Sequence, residues 1–140
     1  MRTTIIIFFM LFGLISAFAQ DDAKKITPPD GKALVYLLRP SKVGSLVTFT
    51  TTCDDKVVGK TKGNRFVYTV MDPGSHTLTT TGGEKDAQLD LVTEANKIYF
   101  VEIIPKMGVV MARVKMEQLT EEDGRKKLEK CKPIPQENTL

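Results

Sequence analysis

The sequence predicts an all-β fold: an antiparallel β-sandwich, immunoglobulin-like or transthyretin-like, with seven or eight short strands and a short C-terminal helix. Three observations predict it. Apolar residues alternate with polar ones at period two through most of the chain. Turn signals such as Asp54-Asp55, Asp72-Pro73-Gly74 and Gly82-Gly83 recur at intervals of about 8–12 residues. Helical spacing enters only near Leu119.

The first nineteen residues read as a secretory signal peptide. Arg2 is followed by an apolar run from Ile5 to Ile15, and Ser16-Ala17-Phe18-Ala19 supplies the small residues of a cleavage site after Ala19. A membrane anchor is the competing reading, but the uncharged stretch contains Thr, Ser and Gly and is short beside the roughly 20 apolar residues of a spanning helix. No cysteine near the cleavage site offers a lipid attachment point, so a periplasmic or secreted product with no stable membrane anchor is expected. Residues 20–30 are polar, charged and proline-ended, as in a loose lead-in.

The sandwich is expected over residues 31–118. "GKALVYLLRP" sets Ala33 to Leu38 between Gly31 and Pro40, as in a strand buried on both faces. "SLVTFTTTC" places Val47, Phe49, Thr51 and Cys53 on one face and threonines on the other. Asp54-Asp55 turns the chain into Val57 and Val58, and "RFVYTV" follows. The Asp72-Pro73-Gly74 corner leads into "SHTLTTTG", and "DAQLDL" turns Ala87, Leu89 and Leu91 inward. "KIYFVEII" and "VVMARVKM" complete the set, the latter with Val110, Ala112, Val114 and Met116 on one side.

A helix is expected over 119–132, where Thr120 and Asp123 form a weakened capping box and Gly124 costs about 1 kcal/mol relative to Ala. Pro133 and Pro135 then end regular structure, leaving 133–140 as a frayed, disordered tail. The 140 residues carry a formal charge of +3; losing Arg2 and no acid, the processed chain carries +2. Basic and acidic residues are interspersed, and no basic stripe interleaves with aromatics, so a nucleic-acid partner is not expected.

The order of these pieces resembles a known family. "PPDGKALVYLLRP", then "DDKVVGKTKGNRFVYTVMDPGSHTL" and "LDLVTEANKIYFVEI", are similar to the bacterial exported domains called domain of unknown function 2846. The resemblance covers about Pro28 to Met116 and is sharpest at Pro73-Gly74-Ser75-His76. A weaker similarity links the corner to surface-layer repeats named for a Pro-Glu-Gly-Ala motif. Two departures stand out: Asn96 replaces a frequent glycine, and the lipobox of many relatives is missing. The resemblance implies fold and compartment and brings no activity.

The candidate site residues have structural readings. At the corner, Pro73 presets φ, Gly74 accepts a positive φ and Asp72 bonds back to turn amides. His76, the only histidine, shares a strand face with Leu78; a partly buried imidazole bonded to a backbone carbonyl competes with a base or a metal ligand. No catalytic residue is assigned, because no nucleophile motif accompanies His76. Neither a metal nor another cofactor is expected from one His and two distant Cys. Asp54-Asp55 reads as turn chemistry, and Arg39 as an exposed strand-end charge or the partner of an acid. Tyr36, Tyr68 and Tyr99 with Phe49, Phe66 and Phe100 fill a core or line a groove. Cys53 and Cys131 form a disulfide in an oxidising compartment, or stay as two thiols with Cys53 acting as a small inward hydrophobe.

These readings favour a non-catalytic module of the cell envelope, binding or structural, that presents loops or a strand edge to a protein, peptide or glycan. A secreted hydrolase or enzyme inhibitor with a loop-built site is the alternative. A concave pocket gathering His76 with acids would favour that alternative; a filled core would favour the module.

Overall fold

The structure, a computed structural model, describes residues 23–134. The expected signal peptide, 1–19, and residues 135–140 of the expected tail lie outside the described residues. From Ala33 onward the described residues form, in order, β1 (Ala33–Arg39), β2 (Phe49–Cys53), β3 (Lys56–Thr61), β4 (Arg65–Met71), β5 (Gly74–Thr81), β6 (Ala87–Thr93), β7 (Ile98–Lys106), β8 (Arg113–Leu119), α1 (Glu121–Glu129) and β9 (Lys132–Pro133). They form an all-β sandwich of a five-stranded sheet, β8-β7-β1-β4-β9, and a four-stranded sheet, β3-β2-β5-β6. Pairing is antiparallel except for β1 with β7 and β4 with β9, which run parallel.

Alternation along β1 explains its wholly apolar stretch. Ala33, Val35 and Leu37 point between the sheets toward Phe49, Leu78 and Leu91, whereas Leu34, Tyr36 and Leu38 point to the opposite side, toward Phe66, Phe100 and Leu128. A strand covered on both faces has no position for a charged side chain in its interior. The second face is roofed by α1, and Tyr36 stacks on Phe100 there with ring centroids 5.4 Å apart. The tyrosines and phenylalanines at that face therefore fill a core and line no groove. Ala23 and Ile26 of the expected loose lead-in pack on the same cluster, and the Tyr36 hydroxyl donates to the Ala23 carbonyl at 3.0 Å.

Helix α1 starts where its cap dictates. Thr120 Oγ1 accepts from the Asp123 amide at 3.2 Å, and Leu119, expected in the helix, ends β8. Gly124, a poor helix former, is required by packing: a Cβ there would fall 2.2 Å from Phe100 Cγ. Pro133, expected in a frayed tail, pairs with Phe66 in β9, and the Ile134 amide donates to Phe66 O at 3.2 Å.

The registers sort the connections into two ends. One, the loop end, gathers the β1–β2, β3–β4, β5–β6 and β7–β8 connections; the other, the turn end, gathers the β2–β3 and β4–β5 turns and the β6–β7 connection. At the loop end one expectation is corrected. Val110 does not join the inward face of a strand: β7 runs on to Lys106, β8 begins only at Arg113, and Met107–Ala112 form the hairpin connection, with Val110 85% exposed.

Arg39 is also corrected, being buried and, among the described residues, not paired with an acid. Its side chain is fully buried between the sheets, where Nη1 donates to Val47 O and Thr61 O at 2.7 Å each and Nη2 to Gly44 O at 2.8 Å. The guanidinium lies 4.4 Å from the Phe49 ring centroid. Gly44 sits at φ +61°, which turns its carbonyl to the guanidinium at little steric cost.

Two substitutions test this packing by urea denaturation. Arg39→Met removes the guanidinium donors from three carbonyls, of which Gly44 O keeps the Val47 amide as a donor, and should cost on the order of 3 kcal/mol. Gly124→Ala should gain about 1 kcal/mol if helix propensity ruled; the overlap with Phe100 should instead lower stability by about 1–3 kcal/mol. An unchanged or higher midpoint would mean that α1 shifts freely off Phe100.

Candidate functional site at the turn end

The β2–β3 connection is a two-residue hairpin whose central residues both need positive φ. Asp54 and Asp55 supply it at 48° and 69°, as acids tolerate better than branched residues do. Pairing of β2 with β5 then sets Cys53 opposite Leu78, so Asp54 lies beside the start of β5. The Asp54 amide donates to Thr77 O at 3.0 Å, and the Thr77 amide donates back to Asp54 Oδ1 at 2.9 Å. The second carboxylate oxygen, Oδ2, is 2.6 Å from His76 Nδ1.

The corner before β5 completes the arrangement. Gly74 has φ +132°, a value disfavoured for residues with a Cβ. The carbonyl of Asp72 faces His76 Nε2 at 2.6 Å and also accepts from Thr93 Oγ1 at 3.0 Å. Its carboxylate, rather than bonding turn amides, pairs with Lys32 at the entrance to β1. A cleft of about 450 Å³ opens here, lined by Lys32, Cys53, Asp54, Val70, Asp72 and His76 among others.

Both partners of the imidazole are oxygen acceptors. Nδ1 faces a carboxylate and Nε2 a carbonyl, so each nitrogen must carry a proton to make its bond, and the ring that satisfies both is imidazolium. The hydrogen bond to Asp54, followed by that to Asp72 O, raises the His76 pKa above its ordinary value. Asp54 moves the other way, held low first by the Thr77 amide and then by His76. Lys32 lowers Asp72 through its hydrogen bond and its charge.

Three ligand types converge at this point: Cys53 Sγ, an Asp54 oxygen and His76 Nδ1 lie within 4.8 Å of one another. Sequence reasoning missed the group because it assigned Asp54 to the turn alone. The carboxylate stands next to the sulfur as well as the imidazole, with Sγ 3.8 Å from Asp54 Oδ2. Burial and the neighbouring carboxylate push the Cys53 thiol up to about 11. A metal ion taking these ligands would have to displace protons from both Cys53 and His76, and each is held there by an adjacent anion or acceptor. The resulting order, thiol–carboxylate–imidazole, differs from the nucleophile–base–carboxylate order of a hydrolytic triad.

The expected Cys53–Cys131 disulfide is corrected by the fold, in which both cysteines are free. Cys53 packs on the inter-sheet cluster, whereas Cys131 lies beneath α1 with Tyr36, Phe100 and Leu128. The five-stranded sheet stands between them, and a disulfide requires Cα atoms within roughly 7 Å. Burial pushes the Cys131 thiol up to about 11 as well.

The pair His76–Asp54 gives a signed pH dependence. A raised His76 pKa adds stability that is complete below about pH 6.5 and lost as pH rises through the folded value. A lowered Asp54 pKa adds stability that is present above about pH 4 and lost as pH falls through the folded value. The difference in urea midpoint between wild type and His76→Ala should therefore peak between about pH 4 and 6.5 and shrink on the alkaline side. A difference that grows with alkaline pH would show that the ring is neutral.

With this geometry in place, relatives can be compared. An uncharacterized protein of Haemophilus influenzae (strain ATCC 51907 / DSM 11121 / KW20 / Rd) is 29% identical over 118 residues, covering 84% of this chain and 70% of its own length. No solved structure matches the chain. Residues 29–115 match the family described as protein of unknown function (DUF2846), nearly the span over which the sequence resembles it. Asn96 adopts φ +62°, a conformation asparagine tolerates, and accepts from the Gly31 amide at 2.9 Å. The chain belongs to the DUF2846 family.

Proposed function

We propose that the protein is an exported, non-catalytic module of the cell envelope that binds an envelope component through the loops of its loop end. The observation that carries this reading is the exposure of large apolar side chains there: Leu46 at 95%, Met107 at 86%, and Val109 and Val110 at 85% each. Exposed apolar residues clustered on adjacent loops mark an interaction surface more often than singly scattered ones do. Export is supported by the apolar run and Ala17-Phe18-Ala19 ahead of the domain.

A secreted hydrolase or enzyme inhibitor is the second reading, and the cleft at His76 favours it by gathering the imidazole with Asp54 and Asp72. The double donation by His76 weighs against it, because a general base needs a nitrogen free to accept a proton. The same bonds give His76 a mechanical role: it ties the β2–β3 turn to the β4–β5 corner.

Periplasmic extraction followed by N-terminal sequencing should yield a protein beginning at Gln20, and that protein should co-sediment with isolated cell envelopes. Val109→Asp/Val110→Asp should lose at least tenfold in the bound fraction while keeping the wild-type unfolding midpoint. His76→Ala should bind as wild type once differences in stability are allowed for. Retention of the protein in the cytoplasm, or binding indifferent to the loop substitutions, would overturn the proposal.

A further inference from the structure

We infer that the loop end docks on an anionic phospholipid surface, an inference that rests on the envelope-binding reading and names its partner. The β7–β8 hairpin is built to hold apolar residues outward. A Cβ on Gly108 would fall 1.8 Å from Met111 O, so the tip closes only with glycine at that position. Glu84, from the neighbouring β5–β6 loop, accepts from Arg113 Nε at 2.9 Å and from the Val110 amide at 3.4 Å. The Glu84 amide donates to Ala112 O at 2.8 Å. These bonds fasten the backbone of the hairpin while leaving the side chains of Met107, Val109 and Val110 in solvent.

Leu46 and Val43 project from the β1–β2 loop at the same end, since β1 and β7 run parallel toward it, β7 continuing past the last β1 pair to Lys106. Arg39 bonds that loop from beneath, at Gly44 and Val47. Around the apolar residues stand exposed Lys42, Lys62, Lys85 and Lys106. Of the two acids in the loops here, Glu84 is already paired with Arg113, which leaves Asp86. The opposite end carries Asp30, Asp54, Asp55, Asp72 and Glu94, of which Asp72 pairs with Lys32, Glu94 with Lys97 and Asp54 with His76, so acids still outnumber lysines there. Charge is thus polarised along the strands, with the cations grouped around the apolar tips.

The chemistry of the tips separates a bilayer from a protein partner. Side chains this exposed protrude and form no socket, and a fluid lipid surface accepts protrusions of any shape. Protein hot spots favour Trp, Tyr and Arg in desolvated pockets, whereas these tips offer unbranched Met and small aliphatic side chains. Shallow insertion of such residues combined with a lysine ring is the usual two-part arrangement for binding anionic headgroups reversibly.

Flotation with two kinds of vesicle tests the inference: phosphatidylethanolamine with phosphatidylglycerol, and phosphatidylcholine alone. The full processed chain should float with the anionic vesicles at low salt, and at least tenfold less with the neutral ones. Raising the salt, or making Lys42→Glu/Lys106→Glu, should lower binding severalfold. Val109→Asp/Val110→Asp should abolish it, with an unchanged unfolding midpoint as the folding control. Val92→Asp, an exposed apolar position on β6 at 66% exposure, should leave it unchanged. Equal binding to both vesicles, or binding that survives Val109→Asp/Val110→Asp, overturns the inference. Binding to cell envelopes without binding to vesicles overturns it too, while leaving the envelope module standing with a protein, peptide or glycan as partner. Binding to neither removes both.

Discussion

The Arg39 guanidinium sits between the two sheets and is balanced by carbonyl dipoles and a ring face; among the described residues no carboxylate pairs with it. Its three acceptors belong to two stretches of chain: Gly44 and Val47 in the β1–β2 loop and Thr61 at the end of β3. One side chain at the end of the central strand thereby fixes the course of a nine-residue loop and ties it to the other sheet. Gly44 O also accepts from the Val47 amide at 2.8 Å, so the guanidinium matters most to the Val47 and Thr61 carbonyls, and a buried acceptor left unpaired costs about 1–3 kcal/mol. The buried cation and the carbonyls it bonds are thus mutually dependent, and the shape of the loop end follows from that dependence.

His76 plays a comparable part at the other end with a different currency of interaction. There the acceptors are a carboxylate and a carbonyl, the donor is titratable, and the group is close enough to solvent for pH to act on it. Each end of the sandwich is therefore fastened by a cation reaching across chain segments, one permanent and one conditional. The convergence of Cys53, Asp54 and His76 follows from fastening the β2–β3 turn to β5, and need not have been selected for chemistry.

Features set by local spacing were legible in the sequence. Period-two alternation identified the strands, the apolar run of β1 announced burial on two faces, and Asp54-Asp55 and Asp72-Pro73-Gly74 marked two turns correctly. Features set by tertiary pairing were not. Arg39 before Pro40 reads as the charged end of a strand until the following loop is seen to fold over it. Asp54 meets His76 only because β2 pairs with β5, and nothing local encodes that neighbour relation. The two cysteines could be counted, but which side of the five-stranded sheet each occupies depends on α1 crossing its outer face. Val109 and Val110 have strand propensity, and their exposure comes from where the β7–β8 register ends.

The parallel pairing of β1 with β7 bears on the timing of assembly. Leu34 is matched to Ile98 and Leu38 to Glu102, so the first strand of the domain waits for one of the last before its ladder is complete. Strands β2, β3, β5 and β6 pair among themselves and can form their sheet from neighbouring hairpins, but "ALVYLLR" has no hydrogen-bonding partner on its β7 side until most of the chain has been made. A strand with six consecutive apolar residues and an open edge is the type of sequence that associates with other copies of itself. Biogenesis of this small domain is thus a race between completing β1 and intermolecular strand pairing, and dilution or a holding chaperone before the C-terminal third arrives would favour the monomer.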